Sequence, residues 1–457
     1  MKIFLLVVGL VAGLAQSSFA AARLNVLFIV ADDLRDTLGC YGNAAVKTPN
    51  IDRLAARGVK FERAYVQYPV CNPSRSSFLT GLRPDDTGVT DNTTLLRDKL
   101  PDVVTFPQLL RQNGWQAAAY GKIFHLGGGR NAALQQKWMD LPKSWDEAQA
   151  FEVTATGKKA IMGRNLTEGK LKWCQWAMAE GDDDDQPDGQ NAKAAVDFLE
   201  KAGDRPWLLA VGFHKPHDPF IAPKKYFDLY PLEEVKLYRD PQGMSKAPPM
   251  AVGFGDYGKA FAAFTDTERR EFQRAYYAGV SFMDAQVGRV LDQLDRQKLW
   301  DKTLVIFISD HGYHLGEREW WNKNTLFERS TRTPLIIAAP GIKSGVVKGI
   351  VEFVDLYPTI ADFCGVKAPA GLAGQSLHPL LVNPEKPGKE AAYTIVTRGR
   401  GQRGESVRTG RWRFTLWSDG SKELYDHAKD PEETRNLASV AGMEEVVLRM
   451  TSMLKSK

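Results

Sequence analysis

The sequence predicts an α/β fold: a large, mostly parallel sheet sandwiched by helices, followed by a small C-terminal α+β subdomain on an antiparallel sheet. Three features of the 457-residue chain predict it. Continuous apolar runs rich in β-branched residues recur at 24–30 (LNVLFIV), 207–213 (WLLAVGF), 303–309 (TLVIFIS) and 334–338. Such runs suit strands buried on both faces. Helical patterns lie between them, which is the alternation of a helix-covered parallel sheet. After Pro379 the texture changes to short β-like pieces. Length points the same way, because single cores stop growing near roughly 250–300 residues.

The elements follow in order. Residues 3–15 form an apolar stretch behind Lys2, too short to span a bilayer. With Ser18-Phe19-Ala20 as a small-x-small cleavage site, residues 1–20 read as a secretory signal peptide. The mature protein is then expected to be secreted or periplasmic, without stable membrane insertion. The main domain is expected at 21–385 and the subdomain at 386–457. Pro49 opens a helix after Thr48. The acidic run 182–185 reads as a solvated loop ahead of a helix at 191–201. Residues 267–299 place Phe272, Tyr276, Val280, Met283, Val287, Val290, Leu291 and Leu294 close to helical spacing, so a long amphipathic helix is expected there. Pro384, Pro387 and Gly388 mark a linker, strands are expected at 392–396, 406–409, 411–417 and 423–425, and 444–454 closes as a helix.

Composition is that of an ordinary globular protein, 43% hydrophobic and 25% charged, with a formal net charge of +5. That charge does not argue for nucleic acid and suits an anionic substrate. The chain has four cysteines and no CxxC pair, so a thiolate zinc site is not expected.

In parallel sheets ligands bind beyond the carboxyl ends of the strands. Asp32-Asp33 follow the first predicted strand and Asp310-His311 follow the strand at 303–309. Together they form a divalent-metal set; hard oxygen donors suit calcium or magnesium, while a histidine taken alone points toward zinc or manganese. Lys122 and His125 follow a predicted strand ending near Tyr120, His214 and His217 follow another, and Lys323 comes shortly after the Asp310 cluster. Four of the seven histidines thus sit at strand ends on one rim, where cations bind an anion and shift neighbouring pKa values.

The run Cys71-x-Pro73-Ser74-Arg75-x-x-x-Leu79-Thr80-Gly81 completes the picture. It resembles, without a mismatch, the signature at which type I sulfatases oxidise a cysteine to Cα-formylglycine. GKIFH, AVGFHKPHDPF, SDHGYHLGE, WNK, VDLYPTIADFCG and the C-terminal ELYDHAKDPEETRNLA look closest to the iduronate-2-sulfatase branch of this alkaline-phosphatase-like superfamily. The resemblance implies Ca2+ bound by Asp32, Asp33, Asp310, His311 and the modified Cys71. It implies Lys122, His125, His217 and Lys323 around the sulfate, and a formylglycine-generating maturation enzyme as partner. His214 carries over no role.

The chemistry then expected is attack on sulfur by a hydroxyl of the hydrated aldehyde, eased by metal and Arg75, to give a covalent sulfate ester. His217 or Lys323 protonates the departing alcohol, and His125 takes the proton that lets sulfate leave. The substrate is expected to be a sulfated saccharide; which sugar, the mode of attack on a polymer and the oligomeric state are not legible. Rival readings are a phosphoester or phosphonate hydrolase of the same superfamily and a non-catalytic binder of sulfated glycan. If Cys71 is modified, Cys40, Cys174 and Cys364 remain, enough for one disulfide at most. Arg398, Arg400, Arg403, Arg408, Arg411 and Arg413 read either as a polyanion-binding face or as a solvated strand face.

Overall fold

The architecture was obtained as a computed structural model that describes residues 23–129, 131–252 and 257–456. The leader at 1–20 lies outside the described residues, as does the Arg400 side chain.

Fifteen strands are described: β1 Asn25–Asp32, β2 Val59–Tyr65, β3 Gln116–Gly121, β4 Glu147–Gln149, β5 Ala160–Asn165, β6 Gln175–Ala179, β7 Trp207–Pro216, β8 Phe220–Pro223, β9 Thr303–Ser309, β10 Leu335–Ala338, β11 Gly345–Glu352, β12 Ala391–Arg398, β13 Gln402–Thr409, β14 Trp412–Trp417 and β15 Lys422–Asp426. Eight build the main sheet in the order β11-β2-β10-β9-β1-β7-β3-β4. Only β10 runs antiparallel to its neighbours. The apolar runs at 24–30, 207–213 and 303–309 become the three adjacent central strands, with Phe28 opposite both Ala210 and Ile306.

These strands bury both faces because alternate residues point opposite ways. Leu27, Ile29, Leu209, Val211, Val305 and Phe307 pack into one core layer, and Val26, Phe28, Leu208, Ala210, Leu304 and Ile306 into the other. The long helix Asp266–Arg296 covers the first face through Phe272, Tyr276, Val280, Met283 and Val287. It starts in a capping box between Thr265 and Glu268. On the other face the helix Cys71–Thr80 packs Phe78 and Leu79 into the sheet. The C-terminal sheet is an antiparallel meander, β12-β13-β14-β15. Helix Glu444–Lys455 closes it by burying Met450 and Leu454 against Val407, Phe414 and Leu424.

Three expectations need correction. A third sheet, β5-β6-β8, was not anticipated, because β5 is exposed along most of its length and lacks an apolar pattern. The acidic run 182–185 is not simply solvated: Asp183 pairs with Lys225 and accepts from Tyr226 and Gln286, and Asp184 pairs with Arg289. The C-terminal arginines do not form a shared anion-binding face. Arg408 and Arg413 are buried in ion pairs with Glu328, Arg403 pairs with Asp85 and Glu405, Arg411 pairs with Asp426, and Arg398 donates to Asn324 and the Met250 carbonyl. Cys40, Cys71, Cys174 and Cys364 are all free thiols. Among the described residues no helix is long and apolar enough to cross a membrane.

Candidate active site

The rim beyond β1 and β9 collects the predicted acids. Asp32 ends β1, Asp33 follows it with φ 64, and Asp310 and His311 follow β9. All four are fully buried or nearly so. One carboxylate oxygen from each of Asp32, Asp33 and Asp310 lies within 4.8 Å of the others. Asp33 is held in its left-handed backbone conformation by Asp310 Oδ1, which accepts its N–H at 3.1 Å, and by Tyr276 Oη, which donates to its carbonyl at 2.7 Å. Such strain persists only where surroundings over-determine it.

Cys71 is the first residue of the Cys71–Thr80 helix, so its side chain sits at a helix N-terminus that favours negative charge. Its Sγ lies within 4.8 Å of a carboxylate oxygen of Asp33 and a ring nitrogen of His311. It is 3.2 Å from Lys323 Nζ, 3.5 Å from His311 Nε2 and 3.9 Å from Asp33 Oδ1. Burial alone would raise this thiol, but the charges of Lys122 and Lys323 and hydrogen bonds from His125 and His217 outweigh it and hold it well below the ordinary range. A buried cysteine held as an anion is a chemical site; the other buried thiols, Cys174 and Cys364, are pushed up to about 12 by burial.

Arg75, one helical turn on, is completely buried. Its Nε donates to Asp310 Oδ2 at 2.9 Å, its Nη2 to Asp32 Oδ1 at 3.1 Å, and its Nη1 to the carbonyls of Lys122 and Ile123. None of its hydrogen bonds reaches Cys71. The sequence reading has it ease ionisation at residue 71; its hydrogen bonds fix two acids and the β3 end, and its charge still acts on Cys71 through space.

The lysines and histidines of the site converge from three segments, those after β3, β7 and β9. Lys122 Nζ lies 2.5 Å from Asp32 Oδ2, just past the end of β3. Its main chain approaches β7 so closely that a Cβ on Gly212 would lie 2.2 Å from the Lys122 carbonyl oxygen. Lys323 Nζ lies 2.6 and 2.9 Å from the two Asp33 oxygens. Burial would lower both lysines, but the acids win and both are raised. His217 Nε2 is 3.8 Å from Asp33 Oδ2, while Nδ1 donates to the Asp218 carbonyl. Burial works against its imidazolium, yet Asp218 and Asp33 push it up to about 10. His125 is the opposite case: burial lowers it, its Nδ1 has no hydrogen-bond partner, and its ring meets Trp138 edge-on. All ten predicted site residues therefore come together.

Sequence reasoning assigned no role to two acids. Asp218 stands beside His217, 3.7 Å from Nδ1, and is itself raised by burial. Asp188, from the helix Pro187–Lys201, accepts the backbone N–H groups of His214 and Lys215 and the His214 ring. Asp218 was visible in the HKPHDPF run; Asp188 had no sequence signal. His314 is buried with Nε2 on Thr325, away from the thiol cluster.

The acid cluster fits a divalent cation. His311 Nδ1 donates to the Gly312 carbonyl, which aims Nε2 at Asp33 Oδ1 3.2 Å away. The protein's own groups answer the crowding with protons. Burial pushes Asp310 up to about 7 against His311 and Arg75, and Asp310 and Asp33 take His311 up to about 9 against burial. A positive charge is what this point calls for, and hard carboxylate oxygens suit calcium or magnesium. A cleft of about 450 Å³ opens from this pole, lined by Asp32, Lys122 and His217 and, farther out, by His214, Lys158 and Lys159. That volume lies in the usual range for small-molecule sites, about 300–1,000 Å³.

Comparison with known proteins places this geometry. The sulfatase family model matches residues 24–366, and a model described as N-sulphoglucosamine sulphohydrolase, C-terminal, matches residues 316–457. The chain is 34% identical over 412 residues to iduronate 2-sulfatase of Mus musculus, covering 80% of this chain and 73% of that one. The fold is shared with a protein solved in complex with its substrate D-glucosamine-2-N,6-O-disulfate (TM-score 0.75, 22% identity, 95% and 97% of the two chains). It is shared equally with the phosphonate monoester hydrolase of Agrobacterium radiobacter (TM-score 0.78, 23% identity, 95% of each chain), so at this identity the fold does not choose the ester. The family match spans most of the chain, and on it the chain belongs to the sulfatase family, the sulfuric ester hydrolases of the alkaline-phosphatase-like superfamily.

Proposed function

We propose that this enzyme hydrolyses a sulfate ester on a sulfated sugar, in the manner of an iduronate 2-sulfatase, after export and after oxidation of Cys71 by a maturation enzyme. The observation that carries the reading is the surroundings of Cys71: a helix N-terminal position at the mouth of three converging carboxylates, with Lys323 3.2 Å away. As formylglycine, residue 71 would supply a hydrated aldehyde, one hydroxyl to attack sulfur and the other to expel sulfate by C–O cleavage. Asp32, Asp33, Asp310 and His311 would hold calcium, which would supply Lewis-acid polarisation at the nucleophile.

The remaining side chains divide the work by charge. Lys122 and Lys323 are held as ammonium groups and bind the sulfate oxygens, where stabilising developing charge is the largest contribution to such reactions. His217 carries its second proton on Nε2, directed toward the site by the Nδ1 bond to Asp218, and is the proton donor to the departing alcohol. His125 stays neutral, with a ring nitrogen uncommitted, and is the base.

Mass spectrometry of the Cys71 peptide tests the reading. Protein made with the maturation enzyme should be about 18 Da lighter there, a thiol replaced by an aldehyde (compare cysteine oxidation chemistry). It should release sulfate from sulfated saccharides and turn over aryl phosphate far more slowly. Full activity with an unmodified thiol, or faster turnover of the phosphate, would sink it.

A further inference from the structure

A second cavity, of about 550 Å³, lies where the β2–β11 edge of the main sheet meets the C-terminal sheet. Most of its charges are paired. Arg332 pairs with Asp36, Arg329 with Asp36 and Glu432, Arg408 with Glu328, and Arg411 with Asp426. Two at its mouth are not. Arg63 donates only to the carbonyls of Lys348 and Gly410, and Lys348 is exposed; neither pairs with a carboxylate among the described residues. Lys60 is not part of this excess: its Nζ donates to the Cys40 carbonyl at 2.8 Å and pairs at 3.7 Å with Glu62, which also lines the cavity.

Arg63 and Lys348 lie side by side on the two strands: Ile350 is opposite Arg63, and Arg63 Nε donates to the Lys348 carbonyl. Two adjacent cations without a carboxylate partner, beside charges that are paired, suit a linear polyanion better than a compact ion. Single-stranded nucleic acid would also need aromatic faces for its bases. The aromatic ring lining this cavity, Tyr41, has its face covered by Lys60 Nζ 5.2 Å from the centroid and its hydroxyl bonded to backbone. The cavity is tied to the catalytic segment through Asp36, three residues past Asp33, which accepts from the lining residues Arg329 and Arg332.

We infer that this cleft is a non-catalytic binding site for a stretch of sulfated polysaccharide, holding a polymer whose sulfated sugar is cut at the Cys71 pole. The inference rests on the sulfated-sugar reading above. It assigns to Arg63 and Lys348 the role that the described C-terminal arginines, spent on internal partners, do not fill.

Lys348→Glu, and separately Arg63→Ala with Lys348→Glu, test it in the mature, modified enzyme. With a heparin-type sulfated polymer, KM should rise about tenfold in the single variant and more in the double, as expected for lost electrostatic steering, with kcat unchanged. With a sulfated monosaccharide, both constants should stay within about twofold, since surface substitutions away from a site act weakly. Unchanged KM for the polymer, an equal loss on the monosaccharide, or equal weakening of a DNA oligomer bound as tightly as the polymer would each overturn the cleft. Failure of the wild type to desulfate either substrate would instead overturn the sulfated-sugar reading. The single variant guards against a folding defect, because Lys348 is exposed and donates no side-chain hydrogen bond in the described residues.

Discussion

Two buried clusters of charge, adjoining in the chain where Lys323 of one precedes Glu328 of the other, behave in opposite ways. Around Glu328, every strong charge has its complement: Glu328 takes Arg408, Arg413 and the Tyr65 hydroxyl, and Glu433 takes Arg413 and His427. Around Asp33, the complement is incomplete. Three carboxylates and a thiol crowd together, His125 keeps a buried ring nitrogen with no partner, and the lysines lean on acids that are themselves metal-ligand candidates. The first cluster is closed and ties the C-terminal sheet to the segment after Lys323. The second is open, and under the proposed function a cation and a sulfate would complete it. An unbalanced buried cluster is tolerated only where something else benefits, and perturbed ionisation gathers at functional sites for that reason.

Breaking the open cluster should cost activity and leave stability alone. Cys71→Ala is expected to lower sulfate release about a millionfold, the scale of losing a covalent nucleophile. Its thermal midpoint should equal or exceed that of the unvaried protein, because a buried charge in a strained site has gone. A clear loss of stability would make the site as structural as the other cluster. Breaking the closed cluster should do the reverse. Glu328→Gln leaves Arg408 and Arg413 short of charge in a buried setting, a loss of about 3–5 kcal/mol. Denaturant unfolding should show it, while kcat on a sulfated monosaccharide, per folded molecule, changes by less than about twofold. A fall in kcat without a fall in stability would erase the distinction.

The open cluster was far more legible in sequence than the closed one. Asp32, Asp33, Cys71, Lys122, His125, His217, Asp310, His311 and Lys323 follow strands or open a helix within short runs, so chain order announces the rim they share. The buried strands were equally plain, because β1, β7 and β9 are apolar on both faces. The closed cluster draws Tyr65, Glu328, Arg408, Arg413 and Glu433 from positions up to 368 residues apart, on three strands, a short helix and a loop, and on a strand an inward arginine looks like a solvated one. That is why the arginines of the C-terminal strands left two readings open, a face for polyanions or a solvated strand face, and their internal partners were not foreseen. Asp188 escaped for the same reason: its partner His214 is 26 residues away and no local pattern joins them. The third sheet escaped because its exposed strand has no core to impose alternation.

Acid titration draws the comparison at its finest. Burial would raise the Glu433 carboxyl, but the charge of Arg413 and the hydrogen bond from His427 outweigh it and bring it down to about 2, against an ordinary value of 4.5. A carboxylate depressed on folding adds stability that is fully present above its unfolded pKa and is lost as pH falls through the folded one. The window therefore runs from about pH 4.5 down to about 2. At 1.36 kcal/mol for each pKa unit, the contribution is about 3 kcal/mol at most, shared with the coupled Glu328. Glu433→Gln should start less stable at neutral pH, then lose less with acid, so that its unfolding midpoint and that of the unvaried protein converge toward pH 2.5 in urea titrations. Other carboxylates titrate in both proteins and cancel in the difference. Parallel curves across that window would mean that the charge of Glu433 does not hold the subdomain junction together, and that the closed cluster is kept by packing alone.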